Sequence, residues 1–342
     1  MKAMVLAAGV GSRLDPLTAS VPKPLVPVVN KPVMEHLLLL LKRHGITDVC
    51  ANLHYLPEKL KDYFQDGSEL GMQIFFEHEE NLSGDAGGVR ACRKFLEDGT
   101  FIVIMGDLIT DADLTKLVAE HKRKKAIASI AVKRMDDVTR FGVVVVDDNG
   151  FITGFQEKPK AEEALSNLIS TGIYIFEPNV FDHIPATGDY GFGKQLFPKL
   201  VKEGLPVLGI EIETYWSDVG TIEQYREANL DVLSGLVKID LGGKLLSQEE
   251  SGGAQVLVGK NVSIGKNVIF TGRVVIGDGC VIDSGCVIND SVLWQGAHIQ
   301  ANSKVSEAVI GAKCLIAADS NVSHQALVTP LVTELTATPA RC

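Results

Sequence analysis

Residues 6–25 read LAAGVGSRLDPLTASVPKPL, and the fold is decided by how this stretch is read. A short apolar strand, Met4-Val5-Leu6-Ala7-Ala8, runs into Gly9-Val10-Gly11-Ser12-Arg13, and Lys23 follows further along. Glycines let successive backbone N–H groups turn toward one point and admit a phosphate closely. Arg13 adds a planar, permanently charged fork for pairs of phosphate oxygens, and Lys23 a compact point charge. Two cations and a nest of amides after a strand make an apparatus for holding a polyphosphate. A ligand-free Gly-rich turn is the plainer alternative, and cations converging on it weigh against that. The dinucleotide fingerprint does not fit. Leu14 stands in place of its third glycine, and Pro16, Pro22, Pro24, Pro27 and Pro32 keep the next stretch from being helical. The Walker pattern fails too, for lack of Gly-Lys-Ser/Thr.

Outward from this loop, apolar runs alternate with amphipathic ones. Met34, Leu37, Leu38 and Leu41 mark a helix over 33–44 with Gly45 in its stop position. Strands are expected at 48–53, 72–76, 100–105, 126–132, 141–146, 151–156 and 205–212, and helices at 57–64, 114–124 and 192–202. The turn Asp147-Asp148-Asn149-Gly150 makes a hairpin of the strands beside it. The pattern predicts an α/β fold, a Rossmann-like mixed, mostly parallel sheet with helices on both faces. Ligands then gather at the carboxyl ends of the strands, where the loop after the first strand already lies.

Composition bounds the partners. The chain has 342 residues, 46% hydrophobic and 22% charged, with net charge −10. No broad basic surface follows, so nucleic acid is not an expected partner, and anionic substrates need local cations or a metal ion. No apolar run reaches the ~18 residues of a membrane span. Six cysteines, at 50, 92, 280, 286, 314 and 342, form no C-x-x-C pair. Neither a zinc site nor a disulfide framework is indicated, and a cytoplasmic setting is expected.

Gly-x-Gly-Ser-Arg-Leu-x-Pro-Leu-Thr followed by Pro22-Lys23-Pro24-Leu25 resembles the signature of the sugar nucleotidyltransferases, the NDP-sugar pyrophosphorylases. The resemblance implies a transferase that joins a nucleoside triphosphate to a sugar 1-phosphate and releases pyrophosphate, with Mg²⁺ as cofactor. It carries over to further motifs. Gly106-Asp107 and Trp216-Ser217-Asp218-Val219-Gly220 correspond to the two magnesium motifs, which assigns Asp107 and Asp218 as metal ligands. By residue type alone either acid also serves as a turn or capping Asp. Asp111 and Asp113 read as solvated or capping residues, and Thr221 to Gln224 as a capping box. Glu157-Lys158-Pro159 resembles the sugar-phosphate motif, Lys158 for the phosphate and Glu157 for sugar hydroxyls, with Gly142 and Gly172 lining that site. Leu6, Ala8, Gly9, Gly11, Arg13, Glu80, Asp85 and Gly87 are the expected nucleotide-binding residues, and Arg13, Lys23 and Lys158 the catalytic cations. The run Gly84-Asp85-Ala86-Gly87-Gly88 corresponds to the loop lining the base. Asp85, or Glu80, can accept from a guanine edge, and Asp85 can equally hydrogen-bond its own loop. The His-Glu-Glu run before this loop and the short hexapeptide tail resemble those of the guanylyl-transferring members, which implies GTP and mannose 1-phosphate. UTP or dTTP with glucose 1-phosphate is the alternative, and a non-catalytic regulatory paralogue a third reading.

Behind residue 233 a polar linker (234–253) leads into a period of six. Val258, Ile264, Phe270, Ile276, Ile282, Ile288 and Trp294 share one phase, and Ile310, Ile316, Val322 and Val328 resume it after a slip. The slip predicts a loop near 296–306. Hexapeptide repeats predict a short left-handed parallel β-helix over 254–330, followed by a polar tail, 331–342. His298 and His324 would serve a hexapeptide acyltransferase, but neither has a visible site around it. Joining subunits of a homo-oligomer is the better reading of this domain.

Overall fold

The computed structural model describes residues 1–329; the expected tail lies outside them. The chain divides into two compact units, Met1–Leu241 and one beginning at Gly242. The stretch expected as a linker is thereby shared, 234–241 with the first unit and 242–253 with the second. The latter part is built, with Lys244–Leu245 antiparallel to Gln255–Val258 and a helical turn at Gln248–Ser251.

The first unit is a nine-stranded mixed sheet. Its N-terminal half is parallel: β1 (Lys2–Leu6) lies between β2 (Asp48–Leu53) and β4 (Phe101–Met105), and β3 (Gln73–His78) lies outside β2. The crossovers are α1 (Val33–Arg43), α2 (Pro57–Phe64) and α3 (Asp85–Ala91). Beyond β4, β5 (Leu108–Thr110) and α4 (Leu114–Lys124) lead to β6 (Ala128–Arg134), the hairpin β7 (Gly142–Val146) and β8 (Ile152–Glu157), and β9 (Leu168–Phe176). Strand β9 runs antiparallel to β4, β6 and β7, so it joins the two halves of the sheet. After α5 (Phe197–Lys202) come β10 (Val207–Glu211), parallel to β6, then β11 (Trp216–Asp218), antiparallel to β5, and α6 (Ile222–Leu233).

Side chains of β1 alternate between two cores, as a strand buried on both faces requires. Ala3 and Val5 pack with Met34, Leu37, Leu38 and Leu41 of α1 on one face. Met4 and Leu6 pack with Val89 of α3 and with Phe192 and Phe197 on the other. The helix expected over 192–202 is divided. Phe192–Leu196 forms a π-helical turn, and only Phe197–Lys202 is α-helical. No helix of the described residues is long and apolar enough to cross a membrane.

The second unit is a parallel β-helix with three strand stacks. Its first coil repeats after 18 residues, pairing Val256 with Val274, and the following coils after 17, pairing Val275 with Val292 and Val292 with Val309. The inward stack therefore runs Ile276, Ile282, Ile288, Leu293, Ile299, Val305, Ile310, Ile316, all buried. The expected loop at 296–306 is absent. His298–Ile299 and Lys304–Ser306 are strands in register with the coils before and after them. One step of five per coil, rather than an excursion, produces the slip in phase. Leu293, not Trp294, occupies the stack at that corner.

Candidate active site

The loop after β1 leaves the parallel half of the sheet at its carboxyl edge, and short 3₁₀ turns at Ser12–Leu14 and Lys23–Leu25 replace any helix there. Gly11 is left-handed at φ 75°, and a Cβ on it would lie 2.9 Å from that of Lys23. A side chain at 11 would push the lysine out. Thr18 fixes the loop by donating its hydroxyl to Gly11 O at 3.0 Å and to Asp15 Oδ1 at 2.9 Å. Lys23 is 8% exposed, and its ammonium forms an ion pair with Asp107 Oδ2.

Two clefts meet here. The first, about 360 Å³, is lined by Leu6, Ala8, Gly9, Gly11, Arg13 and Lys23 from the loop, with Asp85 and Asp107. The second, about 190 Å³, is lined by Gly142, Glu157, Lys158 and Gly172, together with Asp107 and Asp218. Arg13, Asp85, Met105 and Asp107 belong to both.

Asp107 and Asp218 are brought together by the β5–β11 ribbon. Asp218 stands opposite Leu108, and Val219 N–H donates to Asp107 O at 2.8 Å. Burial, and then the charge of Asp107, push the Asp218 carboxyl above its usual value, against the pull of Lys23 and the arginines. Gln224 Nε2 donates to Asp218 Oδ1 at 2.8 Å, while its Oε1 is buried without a hydrogen-bond partner. The expected capping box is consequently half made. Thr221 accepts from Gln224 N–H, but the glutamine side chain is engaged by the acid instead of returning to the cap. Of the other two acids, Asp113 caps α4, while Asp111 accepts from Tyr215 N–H and Lys238 N–H and ties chain segments together. Among the described residues no three His, Cys, Asp or Glu side chains gather as a metal cluster, so any ion there would rest on two acids and on its ligands.

The second cleft owes its shape to a bulge in β9. Pairing with β6 shifts register between Ser170 and Tyr174, and Gly172 sits at φ 80° with Met105 where a side chain would go. Thr171 O in this bulge accepts from Trp216 Nε1 at 2.7 Å, so the Trp of the second motif holds the bulge beside Asp218. Lys158 is left-handed at φ 48°, and its ammonium is exposed, 3.5 Å from Glu157 Oε1.

Glu80 and Gly87 line neither cleft. Glu80 is exposed past the end of β3, and its neighbour Glu79 turns inward instead. Gly87 lies inside α3, its N–H donating to Tyr190 O. The glycine run is the start of that helix, and only its first residues, Gly84 and Asp85, reach the first cleft. Asp85 is half of what was expected. It lines the first cleft, but its Oδ1 accepts from Ala86 N–H at 2.8 Å and Phe192 N–H at 2.5 Å, and burial pushes its carboxyl up to about 6.

Residues not anticipated from sequence are Asn52, Glu79 and Arg140. Asn52 Oδ1 accepts from Ala7 N–H at 2.9 Å, and its Nδ2 donates to Glu79 Oε1 at 2.6 Å. A polar residue in the otherwise apolar strand 48–53 was the available signal. Arg140 lines the second cleft and had no signal beyond its place before Phe141-Gly142.

A strand-end glycine loop with two cations, next to a half-buried acid pair where two clefts meet, marks an α/β protein with its site at the carboxyl edge of the sheet. Residues 2–235 match the family model described as Nucleotidyl transferase, and residues 253–334 that of the GMPPB C-terminal domain. The chain belongs to the nucleotidyl transferase family. It is 46% identical over 251 residues to a UTP–glucose-1-phosphate uridylyltransferase of Synechocystis, covering 70% of this chain and 65% of that protein. It is 34% identical over 235 residues to a mannose-1-phosphate guanylyltransferase of Mycobacterium tuberculosis, 68% and 65% of the two chains. The matched region thus spans less than two thirds of these relatives' own length, 65% of each. A crystal structure from Bacillus anthracis, described as a glucose-1-phosphate thymidylyltransferase, superposes with TM-score 0.62 at 30% identity, covering 67% of this chain and 94% of that one.

Proposed function

We propose that the chain is a sugar-1-phosphate nucleotidyltransferase. The carrying observation is the meeting of two clefts at Arg13 and Asp107, one lined by the amide nest and Lys23, the other by Glu157 and Lys158. A triphosphate in the first and a sugar 1-phosphate in the second would place two anions against each other. The barrier is then repulsion and alignment, which charge and positioning lower. Arg13 and the Gly9–Gly11 amides hold the outer phosphates and stabilise the leaving pyrophosphate. Lys23 neutralises charge near the α-phosphate. Lys158 holds the phosphate whose oxygen attacks, and since that oxygen is already ionised, no general base is required.

The acid pair fits a hard divalent cation such as Mg²⁺: both carboxylates line one cleft, the charge of Asp107 is felt at Asp218, and the orphaned Gln224 Oε1 lies on the Asp218 side. Asp107 and Asp218 would hold the ion, which supplies positive charge against the phosphates.

For the substrates, UTP with glucose 1-phosphate is the reading we favour. It is supported by the 46% relative and by the engagement of Asp85 Oδ1 with two backbone N–H groups. GTP with mannose 1-phosphate keeps support from the C-terminal match and the 34% relative. Pyrophosphate release over four triphosphates and several sugar 1-phosphates tests both. UTP with glucose 1-phosphate should give the highest kcat/KM, a maximum with GTP and mannose 1-phosphate would replace it, and release with no pair would leave a non-catalytic binding protein. The β-helix, with Ile269 and Leu315 exposed on its outer faces, is assigned to subunit association. Light scattering that finds only monomer removes that assignment.

A further inference from the structure

A chain of hydrogen bonds leads from the first strand to the second cleft without touching the acid pair. It starts at Ala7 N–H on Asn52 and passes to Glu79, whose Oε2 accepts from Ser83 Oγ at 2.5 Å and Ser83 N–H at 3.2 Å. Ser83 O then accepts from Tyr190 N–H at 2.9 Å, and Tyr190 O from Gly87 N–H at 3.0 Å. Asp85 closes the strap by accepting from Phe192 N–H. The approach is tight, since a Cβ on Gly84 would lie 2.5 Å from both Asp189 Oδ1 and Tyr190 O.

Phe192 faces the second cleft's machinery. Its ring lies 4.8 Å from that of Tyr174, whose hydroxyl accepts from Ser170 Oγ at 3.3 Å. One residue on, Gly193 lies against the Glu157 carboxylate so closely that a methyl group there would overlap it. Phe192 also opens the π-helical turn, an uncommon geometry that one residue's change of register converts to α. Coupling between sites needs an element that can change arrangement, and this turn is the one that lies between Asp85 and Glu157.

We infer that Asp85, clasping Phe192, is a positioning residue through which the occupant of the first cleft sets the shape of the second. A ligand settling against Gly84 and Asp85 fixes the start of α3. The clasp passes this to Phe192, and the π turn to Glu157 and Tyr174. The inference rests on the proposed function for the identity of its two ligands.

The test uses the full chain, a non-hydrolysable UTP analogue and glucose 1-phosphate. In the wild type the analogue should tighten glucose 1-phosphate binding by about fivefold or more, the lower end of ordinary site-to-site coupling, and slow amide exchange over 189–196. Asp85→Ala, assayed at saturating analogue, should lose both effects. Asp85→Asn keeps an acceptor oxygen for both N–H groups and should retain the coupling. Coupling that survives in Asp85→Ala, or that is lost equally in Asp85→Asn, overturns the clasp. So does wild-type exchange over 189–196 that ignores the analogue, which needs no variant to fold. A wild type that binds neither probe overturns the functional reading and this inference with it.

Discussion

The Lys23 ammonium is paired with the carboxylate of Asp107, and this pair joins the proline-rich loop to the end of β4 at the point where the two clefts meet. Both partners are largely shielded, with side chains 10% and 22% exposed. Removing one member of such a pair leaves a charge without its counter-ion, at a cost of about 3–5 kcal/mol when burial is complete. Lys23→Met should therefore lower stability by roughly 2–3 kcal/mol in urea unfolding and cut turnover by ~10²–10³. Turnover within tenfold of wild type would take Lys23 out of the reaction.

Asp218 gives the opposite result for stability. Its charge is unfavourable in the folded chain, because burial and Asp107 both oppose it. Asp218→Asn keeps an oxygen for Gln224 and removes that charge, so the melting temperature should stay level or rise. Mn²⁺ affinity in the presence of nucleotide should fall at least about tenfold, or ~1.4 kcal/mol, and activity restored by Mg²⁺ after chelation in the wild type should be missing. Unchanged Mn²⁺ binding would remove Asp218 from the ion.

Lys158 is exposed and pairs loosely with Glu157, so its loss should leave the fold intact. Lys158→Ala should raise the KM for sugar 1-phosphate by ~10-fold or more, the scale of one charge-assisted contact, with the triphosphate KM nearly unmoved. Equal changes in both would place the lysine elsewhere.

Parts of the site adjacent along the chain were legible in the sequence. Gly9, Gly11, Arg13 and Lys23 lie on one loop, Asp107 follows an apolar strand, and Asp218 stands in the short motif Trp216-Ser217-Asp218-Val219-Gly220. Asn52, Glu79 and Arg140 come singly from three elements, and only the fold brings them to the clefts. Gln224 was misread because a local capping pattern competes with a distant acid, and the acid is the stronger acceptor. The Asp85 contact that holds Phe192 at the head of the π turn comes from far along the chain, and helical periodicity cannot register it. In the β-helix the repeat was visible but its coil length was not, since a count of six cannot show which corner loses a residue.

Ile299 tests that corner. It lies in the stretch where the slip in phase predicts a loop, yet it is fully buried and pairs in register with Ile282 and Ile316. Ile299→Ala should cost about 2–4 kcal/mol, as for an aliphatic side chain removed from a packed core. A cost below ~0.5 kcal/mol, the range of surface substitutions, would return a loop to this position.

His121 supplies the pH dependence. It is wholly buried, with Nδ1 2.7 Å from Ser129 Oγ and Nε2 3.1 Å from Glu177 Oε1, which also accepts from Thr100. Burial holds its pKa below the ordinary 6.5, outweighing the pull of Glu177. As pH falls through 6.5 the unfolded chain takes up a proton that the folded chain refuses. The stability contributed by neutral His121 is thus complete above 6.5 and declines below it, by up to ~1.4 kcal/mol per pH unit. His36, also buried, has the same sign, whereas Asp85, pushed up to about 6, binds its proton first in the folded chain and opposes both. Comparing wild type with His121→Gln isolates the one group. Unfolding free energy between pH 8 and 5 should fall more steeply in the wild type, and parallel curves would mean that folding leaves the His121 pKa unmoved.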